Sequence, residues 1–220
     1  MTGQHDPEDH HHAHDPSMVG TAVLTVSSSR TLETDAGGDA VVEALQGAGH
    51  EIVVRDLVGD DEASLRANVE AFRAREGVEA IVTTGGTGIT ADDVTVEALR
   101  PLFDREIPGF GERFRQRSVA EVGPHAMLSR ATAGICGDVV VFCLPGSENA
   151  ARFGTRELVV PVLEHAVGLL QGDSHDHGHQ DGHEHGHQDG HDHGHGNGHE
   201  NVHKDGRSHD QAADRKGDEQ

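Results

Sequence analysis

The chain has 220 residues, with 39 acidic side chains, 17 Lys or Arg and 20 His, and its formal net charge is −22 at pH 7. Such a charge argues against a nucleic-acid-binding protein, because attraction to phosphate needs a cationic surface. No apolar run approaches the roughly 20 residues of a membrane span, and the acidic N-terminus is unlike a signal peptide. Two cysteines cannot build a disulfide framework. We therefore expect a soluble, cytoplasmic globular protein without nucleic acid or membrane as partner.

Histidine is concentrated at the two ends of the chain. Five of the 20 His precede Met18 and 12 follow Gly172, where octads such as HDHGHQDG (175–182) and HEHGHQDG (183–190) repeat. These ends hold almost nothing apolar to bury, so they should not fold alone. The sequence predicts a disordered lead-in over 1–18, one folded domain over 19–171 and a disordered tail over 172–220.

The central segment is acidic and free of lysine. Residues 19–171 carry 23 acidic side chains and 13 Arg, but no Lys. An acidic surface keeps a protein dispersed where salt screens charge strongly, so this composition favours a halophilic host. Ordinary acidic drift in a GC-rich genome that favours Arg is the alternative.

Apolar strands and helical patterns alternate along residues 19–171. Strands are predicted over 21–26, 51–57, 80–84 and 138–144. Helices are predicted over 39–48, 61–75, 94–103, 110–122 and about 150–170, where Pro161 either kinks the last helix or starts a new one.

This alternation predicts an α/β fold with a mostly parallel sheet covered on both faces. Ligands of such sheets bind beyond the carboxyl ends of the strands. The loops expected at that edge are 27–30, 59–61, 85–93 and 145–149.

A glycine-rich turn, TTGGTG, follows the third predicted strand directly. Its glycines allow a ligand to approach the backbone closely, and free N–H groups there would form a cradle for an anion. A P-loop is excluded because the segment lacks the required Lys. The alternative is a plain glycine-rich turn without a ligand.

Asp60 and Asp93 come just after the second and third predicted strands, which we expect to be neighbours in the sheet. Carboxylates beside a phosphate cradle are the usual means of holding Mg²⁺. The alternative is that they cap helices, Asp60 the one over 61–75 and Asp92 or Asp93 the next.

Two further segments could contribute to the same edge. Pro145-Gly146-Ser147 forms a second tight turn after the last strand, and Ser129-Arg130 offers a hydroxyl and a guanidinium suited to phosphate. Cys136 and Cys143 stand among apolar residues, which favours small buried side chains over metal ligands.

The motifs TVSSSR (25–30), LVGDDE (57–62), TTGGTGITADDVT (83–95), REIPGFGERFR (105–115), MLSRATAGI (127–135) and LPGSENA (144–150) occur in an order that resembles the MoaB/Mog family of molybdopterin adenylyltransferases. The resemblance covers essentially all of 19–171. It implies a three-layer α/β/α sandwich that transfers AMP from ATP to molybdopterin with Mg²⁺, in molybdenum or tungsten cofactor biosynthesis. It further implies a homotrimer or hexamer, and a downstream molybdenum-insertion enzyme as a possible partner.

The resemblance also assigns residues to roles. Asp60 and Asp93 match the family's essential acids and would be the catalytic and Mg²⁺-binding residues. The substrate- and nucleotide-binding residues would be Thr25, Ser27, Arg30, Thr84, Gly85, Gly86, Thr87, Gly88, Ser129, Arg130, Pro145, Gly146, Ser147 and Asn149.

Two other functions remain open at this point. The domain could be a carrier that binds molybdopterin without catalysis, or the tail could make the protein a metal buffer. Imidazoles at every second position suit Zn, Ni and Cu. The candidate tail ligands are His175, His177, His179, His183, His185 and His187.

Overall fold

The computed structural model describes residues 18–172. The predictions for 1–17 and 173–220, including the six tail histidines, lie outside the described residues. None of the described helices has the length and apolar character needed to cross a bilayer.

A six-stranded sheet with the order β2-β1-β3-β6-β5-β4 forms the centre of the fold. Its strands are β1 (Gly20–Val26), β2 (Glu51–Val58), β3 (Ala80–Thr84), β4 (Arg105–Glu106), β5 (Thr132–Cys136) and β6 (Val139–Leu144). The first four in sheet order are parallel, whereas β5 runs antiparallel to both β6 and β4. The four predicted strands and the mostly parallel sheet are confirmed.

Six α-helices connect and cover these strands. They are α1 (Ala36–Gly47), α2 (Glu62–Arg73), α3 (Thr95–Leu99), α4 (Pro108–Val122), α5 (Glu148–Gly154) and α6 (Val160–Gly172). α1 begins three residues before its predicted start because Asp35 caps it and accepts the Gly38 N–H. The predicted helix over 94–103 is shorter, since α3 passes into a 3₁₀ turn (Arg100–Leu102) where Pro101 has no N–H to continue an α-helix.

Pro161 lies in the first turn of α6, so the prediction of an irregularity there is confirmed. A π-helical turn (Thr155–Val159) joins α5 to α6 just before it. Proline removes an N–H and its ring crowds the preceding turn, which favours a local widening of the helix.

Alternate side chains of the sheet pack into two apolar layers, as a sheet covered on both faces requires. Val23, Val82 and Phe142 pack on one face with residues of α1, α4, α5 and α6. Leu24 and Ile81 pack on the other with residues of α2 and α3. The three-layer α/β/α sandwich is confirmed.

The β5–β6 hairpin was not predicted. Thr132–Cys136 contains Ala and Gly, which weaken a strand signal. Its two-residue connection is Gly137-Asp138, with Gly137 at a φ of 63°. Such a pair between apolar runs is a recognised hairpin signal and could have identified β5.

One prediction about the sheet is wrong: β2 and β3 are not neighbours. β1 lies between them and pairs with both. All seven residues of β1 are buried, whereas β2 is partly exposed along its length, as expected of an edge strand. The strands that precede Asp60 and Asp93, β2 and β3, are therefore separated by β1.

Candidate functional site

The four parallel strands bring four loops to one edge of the sheet, as predicted. The loop after β1 contacts the loop after β2 through Ser28 and Asp60. It also contacts the turn after β6, because Arg30 Nη1 donates to the Gly146 carbonyl at 2.9 Å. The turn after β3 continues the same edge, since the Gly85 N–H donates to the Leu144 carbonyl at 2.9 Å.

Asp60 is held by the loop that follows β1. Its Oδ2 accepts the Ser28 N–H at 2.9 Å, and its own N–H donates to Ser28 Oγ at 3.0 Å. Within residues 18–172 no donor reaches Oδ1 of this carboxylate. The capping alternative is wrong for Asp60, because the N-cap of α2 is Asp61, which accepts the Ser64 N–H at 2.8 Å.

The carboxylate of Asp93 accepts three hydrogen bonds from residues of its own loop. Oδ1 accepts the Gly88 N–H at 2.9 Å, and Oδ2 accepts the N–H and the hydroxyl of Thr90 at 2.8 and 2.6 Å. Burial opposes ionisation of Asp93, but these hydrogen bonds and the Arg130 charge outweigh it, so its pKa is lowered. Asp93 does not cap α3 either, since the N-cap there is Val94 without a side-chain bond.

Glycine is required at the first two positions of the turn after β3. Gly85 and Gly86 have φ angles of 111° and 64°. A Cβ at Gly85 would lie 2.2 Å from the Val26 carbonyl oxygen, and one at Gly86 would lie 2.4 Å from Thr95 Oγ1. No larger residue can adopt this backbone so close to β1 and α3.

The four carbonyl groups of this turn, residues 85–88, are all hydrogen-bonded to the protein. Thr95 donates its hydroxyl to the Gly85 carbonyl at 2.8 Å and its N–H to the Gly86 carbonyl at 3.0 Å. Arg130 donates its N–H to the Thr87 carbonyl at 2.9 Å and its Nε to the Gly88 carbonyl.

This arrangement leaves amide donors directed away from Thr95 and Arg130. In a planar trans peptide the carbonyl and the following N–H point in opposite directions. The N–H groups of Gly86, Thr87 and Ile89 therefore face the other way, and no acceptor in the described part of the chain bonds them. Thr87 Oγ1 is likewise buried without a hydrogen bond inside residues 18–172. Successive free N–H groups of this kind bind anions.

The turn after β6 lies directly against the glycine-rich turn. Thr84 Oγ1 donates to the Pro145 carbonyl at 2.9 Å. A Cβ on Gly146 would lie 3.0 Å from the Gly85 Cα. Ser147 caps α5, because its hydroxyl accepts the Ala150 N–H at 3.4 Å.

A cavity of about 560 Å³ opens between α4 and the start of α5. Four of the predicted substrate-binding residues line it, namely Ser129, Pro145, Ser147 and Asn149, and so do the rings of Phe114 and Phe153. The Ser129 hydroxyl accepts the Ala131 N–H at 3.3 Å, which fixes it at the cavity wall. The cavity combines apolar walls with a few polar groups, as small-molecule sites do.

Thr25 and Ser27, at the end of β1, make hydrogen bonds within the protein, and Thr25 is as buried as Thr84 and Thr87. Thr25 is fully buried and donates its hydroxyl to Asp35 Oδ2 at 2.6 Å. Ser27 donates its N–H to the Val58 carbonyl at 2.8 Å, which continues the β1–β2 pairing.

Asp35, which caps the start of α1, was not predicted as a site residue. This fully buried carboxylate accepts from Thr25, from the Gly38 N–H at 2.9 Å and from Arg55 Nη2 at 3.0 Å. Burial opposes its ionisation, but the bonds from Thr25, Gly38 and Arg55 outweigh burial and lower its pKa. An Asp just before a helical pattern is a local N-cap signal that could have identified it. The Arg55 contact is long-range and leaves no such signal.

Two carboxylates at this edge, those of Asp60 and Asp93, are the groups that could hold a metal ion. Within residues 18–172 no group of three or more His, Cys, Asp or Glu is placed to hold a metal ion. Mg²⁺ commonly takes one or two carboxylates together with substrate phosphates and water. Asp60 has one oxygen that no described residue bonds, so it could take part in such a site, whereas both oxygens of Asp93 already accept hydrogen bonds from its own loop.

The two cysteines play no part at this edge. Both are buried and unpaired, as predicted. Burial raises the pKa of the Cys143 thiol to about 12, so it is a packed apolar side chain and not a thiolate ligand.

Comparison with known proteins agrees with this architecture. Residues 22–165 match the family described as "Probable molybdopterin binding domain". The chain is 42% identical over 159 residues to the molybdenum cofactor biosynthesis protein B of Bacillus subtilis, covering 72% of this chain and 94% of that relative. A crystal structure of a molybdenum cofactor biosynthesis protein B has 44% identity and a TM-score of 0.69, covering 71% of this chain and 98% of the other.

A second solved structure extends the likeness to tungsten. The tungsten cofactor synthesizing protein MoaB from Pyrococcus furiosus shares 39% identity with a TM-score of 0.62, covering 70% of this chain and 98% of that one. The resemblance found in the motifs is confirmed. The family match and these likenesses show that the chain belongs to the MoaB family of molybdopterin-binding domains.

Proposed function

We propose that this protein transfers AMP from ATP to molybdopterin and releases pyrophosphate. A role in molybdenum cofactor biosynthesis is supported by the family and by relatives of 41–46% identity that carry that name. The observation that carries the finer proposal is the set of N–H groups after β3 that no described residue accepts, those of Gly86, Thr87 and Ile89, which we call the phosphate cradle. Asp93 lies in the same loop, and Asp60 lies in the loop after β2 at the same edge of the sheet. A carrier needs only a pocket for molybdopterin, whereas a transferase also needs groups that bind the phosphates of ATP, and the amide donors and carboxylates of this edge are groups of that kind.

The chemistry requires two anions to approach each other. An oxygen of the terminal phosphate of molybdopterin attacks the α-phosphorus of ATP, a new P–O bond forms, and the bond to the β-phosphate breaks as pyrophosphate leaves. Amide donors that already face the phosphates stabilise this charge without reorganising during the reaction. Gly86, Thr87 and Ile89 offer such donors.

The core has no Lys to neutralise the phosphates, so carboxylates that bind a cation take on that task. When bound, Mg²⁺ supplies Lewis-acid stabilisation of charge on the phosphate oxygens. Asp60 and Asp93 would hold it: Asp60 with its unbonded oxygen, Asp93 from the loop that also forms the cradle.

Molybdopterin would occupy the cavity between α4 and α5. Pro145 and Ser147 line that cavity, and Gly146 between them lies so close to the glycine-rich turn that a Cβ on it would be 3.0 Å from the Gly85 Cα. Its aromatic and apolar wall suits a planar ring system, and Ser129 and Asn149 supply polar contacts. The reacting phosphate would then point toward the cradle.

The direct test is pyrophosphate release from ATP in the presence of molybdopterin and Mg²⁺. We expect turnover that requires all three components. Tight binding of molybdopterin without pyrophosphate release would establish the carrier function and reject the transferase. Omission of molybdopterin is the control, because an enzyme that hydrolyses ATP to AMP would release pyrophosphate without it.

We also propose that the protein is a cytoplasmic homotrimer or hexamer that passes its product to a molybdenum-insertion enzyme. Four exposed apolar side chains, Val119, Val122, Met127 and Leu128, cluster at the end of α4 and in the turn after it. Light scattering in molar salt tests the assembly, and a mass near the 23.4 kDa of one chain would reject it.

A further inference from the structure

We propose that Arg130 is a positioning residue that keeps the phosphate cradle in shape, and not itself a phosphate ligand. The proposal rests on the proposed function only in taking the turn after β3 as the phosphate site. Its structural part concerns the free protein and can be tested without substrate.

The donors of Arg130 are directed at its own protein. The backbone N–H bonds the Thr87 carbonyl at 2.9 Å, Nε bonds the Gly88 carbonyl and Nη2 bonds the Asp93 carbonyl at 2.7 Å. Nη1 pairs with the Glu97 carboxylate of α3. All three guanidinium nitrogens therefore have a partner before any phosphate arrives.

These bonds set the direction of the neighbouring amides. With the Thr87 and Gly88 carbonyls held toward Arg130, the following N–H groups of Gly88 and Ile89 must point away from it. The Gly88 N–H then meets Asp93, and the Ile89 N–H stays open to an anion. We call the side-chain bonds of Arg130 to the Gly88 and Asp93 carbonyls the brace. Without the brace the Gly88 carbonyl could rotate toward the phosphates, where its oxygen would repel them, and Asp93 would lose a bond that fixes its position. The Thr87 carbonyl keeps its bond in any variant, because its donor is the backbone N–H of residue 130.

Arg130 controls only the second half of the turn. Thr95 holds the Gly85 and Gly86 carbonyls independently, through its hydroxyl and its N–H. Loss of Arg130 should therefore disturb Gly88, Thr90 and Asp93 and leave the bond from the Thr95 N–H to Gly86 in place.

The substitution Glu97→Ala distinguishes the two possible roles of Arg130, because each role predicts a change in phosphate binding in the opposite direction. As the partner of Nη1, Glu97 fixes the guanidinium in the bracing position. If Arg130 positions the cradle, Glu97→Ala loosens the brace and weakens phosphate binding. If Arg130 is a ligand, the same change frees its charge and removes a nearby anion, and binding should tighten.

Arg66 of α2 provides a matched control, because it also contacts α3. Its guanidinium also bonds two carbonyls, those of Glu97 and Ala98, and one carboxylate, that of Glu62. Arg66→Ala removes the same set of bonds, but none of them is to the cradle. Loss of general stability would thus affect both variants, whereas loss of cradle shape would affect only Arg130.

The experiment compares the full-length wild type with Arg130→Lys, Arg130→Ala, Glu97→Ala and Arg66→Ala. Inorganic pyrophosphate with Mg²⁺ is the binding probe in calorimetry, and amide hydrogen exchange is measured on the free proteins. We expect both Arg130 variants to weaken pyrophosphate binding about tenfold, because the binding-competent turn becomes a minority state. Exchange at Gly88 and Thr90 should rise, while exchange at Thr95 stays close to that of the wild type.

Glu97→Ala should shift binding and exchange in the same direction by a smaller factor, and Arg66→Ala should shift neither. Tighter pyrophosphate binding in Glu97→Ala, or weaker binding in Arg130→Lys without faster exchange at Gly88, would overturn the positioning role. If Arg130→Ala does not fold, Arg130→Lys and Glu97→Ala decide the question. Wild-type protein that binds neither pyrophosphate nor ATP would refute the proposed function. Unchanged amide exchange at Gly88 in the Arg130 variants would separately refute the positioning role of Arg130.

Discussion

Asp60 and Asp93 stand at equivalent places, each in a loop after a parallel strand, yet the protein uses them differently. Asp60 accepts one hydrogen bond from the Ser28 N–H. Asp93 accepts three, all from residues of its own loop. The carboxylate of Asp60 is attached to the fold by this single hydrogen bond, whereas the carboxylate of Asp93 connects three groups of its own loop.

This difference separates catalytic from structural effects of substitution. Removal of charge from Asp60 should change what the site can bind and leave the fold alone. The same change at Asp93 should alter the site and the loop together.

The largest effect is expected for Asp60→Asn. The amide oxygen can still accept the Ser28 N–H, but the charge that would hold Mg²⁺ is lost. We expect kcat to fall at least roughly a hundredfold, the scale of losing a principal electrostatic group. The free energy of unfolding should change by no more than about 0.5 kcal/mol. Pyrophosphate release and urea unfolding on the same sample measure both.

Asp61→Asn is the matched control for this variant, because it removes the same charge one residue away. Asn caps a helix about as well as Asp, so α2 should be unaffected. Equal losses of kcat in both variants would mean that the general field of the loop matters and not Asp60 itself. A stable Asp60→Asn protein with wild-type turnover would end its assignment as a metal ligand.

Asp93→Asn should combine a functional loss with a structural one. An amide has only one acceptor oxygen, so either the Gly88 N–H or the Thr90 donors lose their partner. We expect destabilisation by about 1 kcal/mol from one lost hydrogen bond. ATP binding should also weaken, since the cradle amides share this loop, and kcat should fall as in Asp60→Asn.

The neighbouring Asp92→Asn variant controls for charge in the same loop. Asp92 is exposed and makes no hydrogen bond to the described residues, so its substitution should leave stability unchanged. If Asp93→Asn proves as stable as Asp92→Asn, the hydrogen bonds of the Asp93 carboxylate do not stabilise its loop more than the Asp60 carboxylate stabilises its own.

The stability contribution of Asp93 should depend on pH. Its pKa in the folded protein is lowered from the ordinary value of 3.8, so the folded state favours the ionised form. That contribution is complete above the unfolded pKa and is lost as the pH falls through the folded pKa. The stability difference between wild type and Asp93→Asn should therefore be larger at pH 7 than at pH 3 in urea unfolding. A difference independent of pH would show that the carboxylate charge plays no part in closing the loop.

Much of the fold could be predicted because its signals are local. The strands β1, β3 and β6 are short apolar runs, and their parallel arrangement placed the edge loops correctly. β5 was missed because Ala133 and Gly134 dilute its pattern. The central position of β1 could not be read locally either, since pairing partners are chosen by the packing of the whole sheet.

The site was predicted to the level of its loops but not of its contacts. Glycines at 85 and 86 reveal the turn because only glycine fits there. The use of Arg130 depends on bonds to residues 33 to 42 positions away in sequence, which no local spacing encodes. An arginine near a phosphate site is interpreted as a ligand from the sequence, and only the tertiary contacts show that each of its guanidinium nitrogens already donates to a group of the protein.

Removal of residues 173–220 is expected to have the smallest effect on kcat and on the roles of Asp60 and Asp93. All the core elements, both carboxylates and the cradle lie within residues 18–172, so kcat and the effects of Asp60→Asn and Asp93→Asn should be the same in the truncated protein.

Nickel or zinc binding should be lost on the same truncation, because the closely spaced tail histidines, His175 to His187, are the candidate ligands. In the full-length chain that binding should weaken below about pH 6.5, where imidazole becomes protonated. Calorimetry with Ni²⁺ alone, with and without the tail, provides the measurement. Unchanged nickel binding after truncation would reject the tail as a metal site, and loss of pyrophosphate release would show that the tail takes part in the reaction of the core.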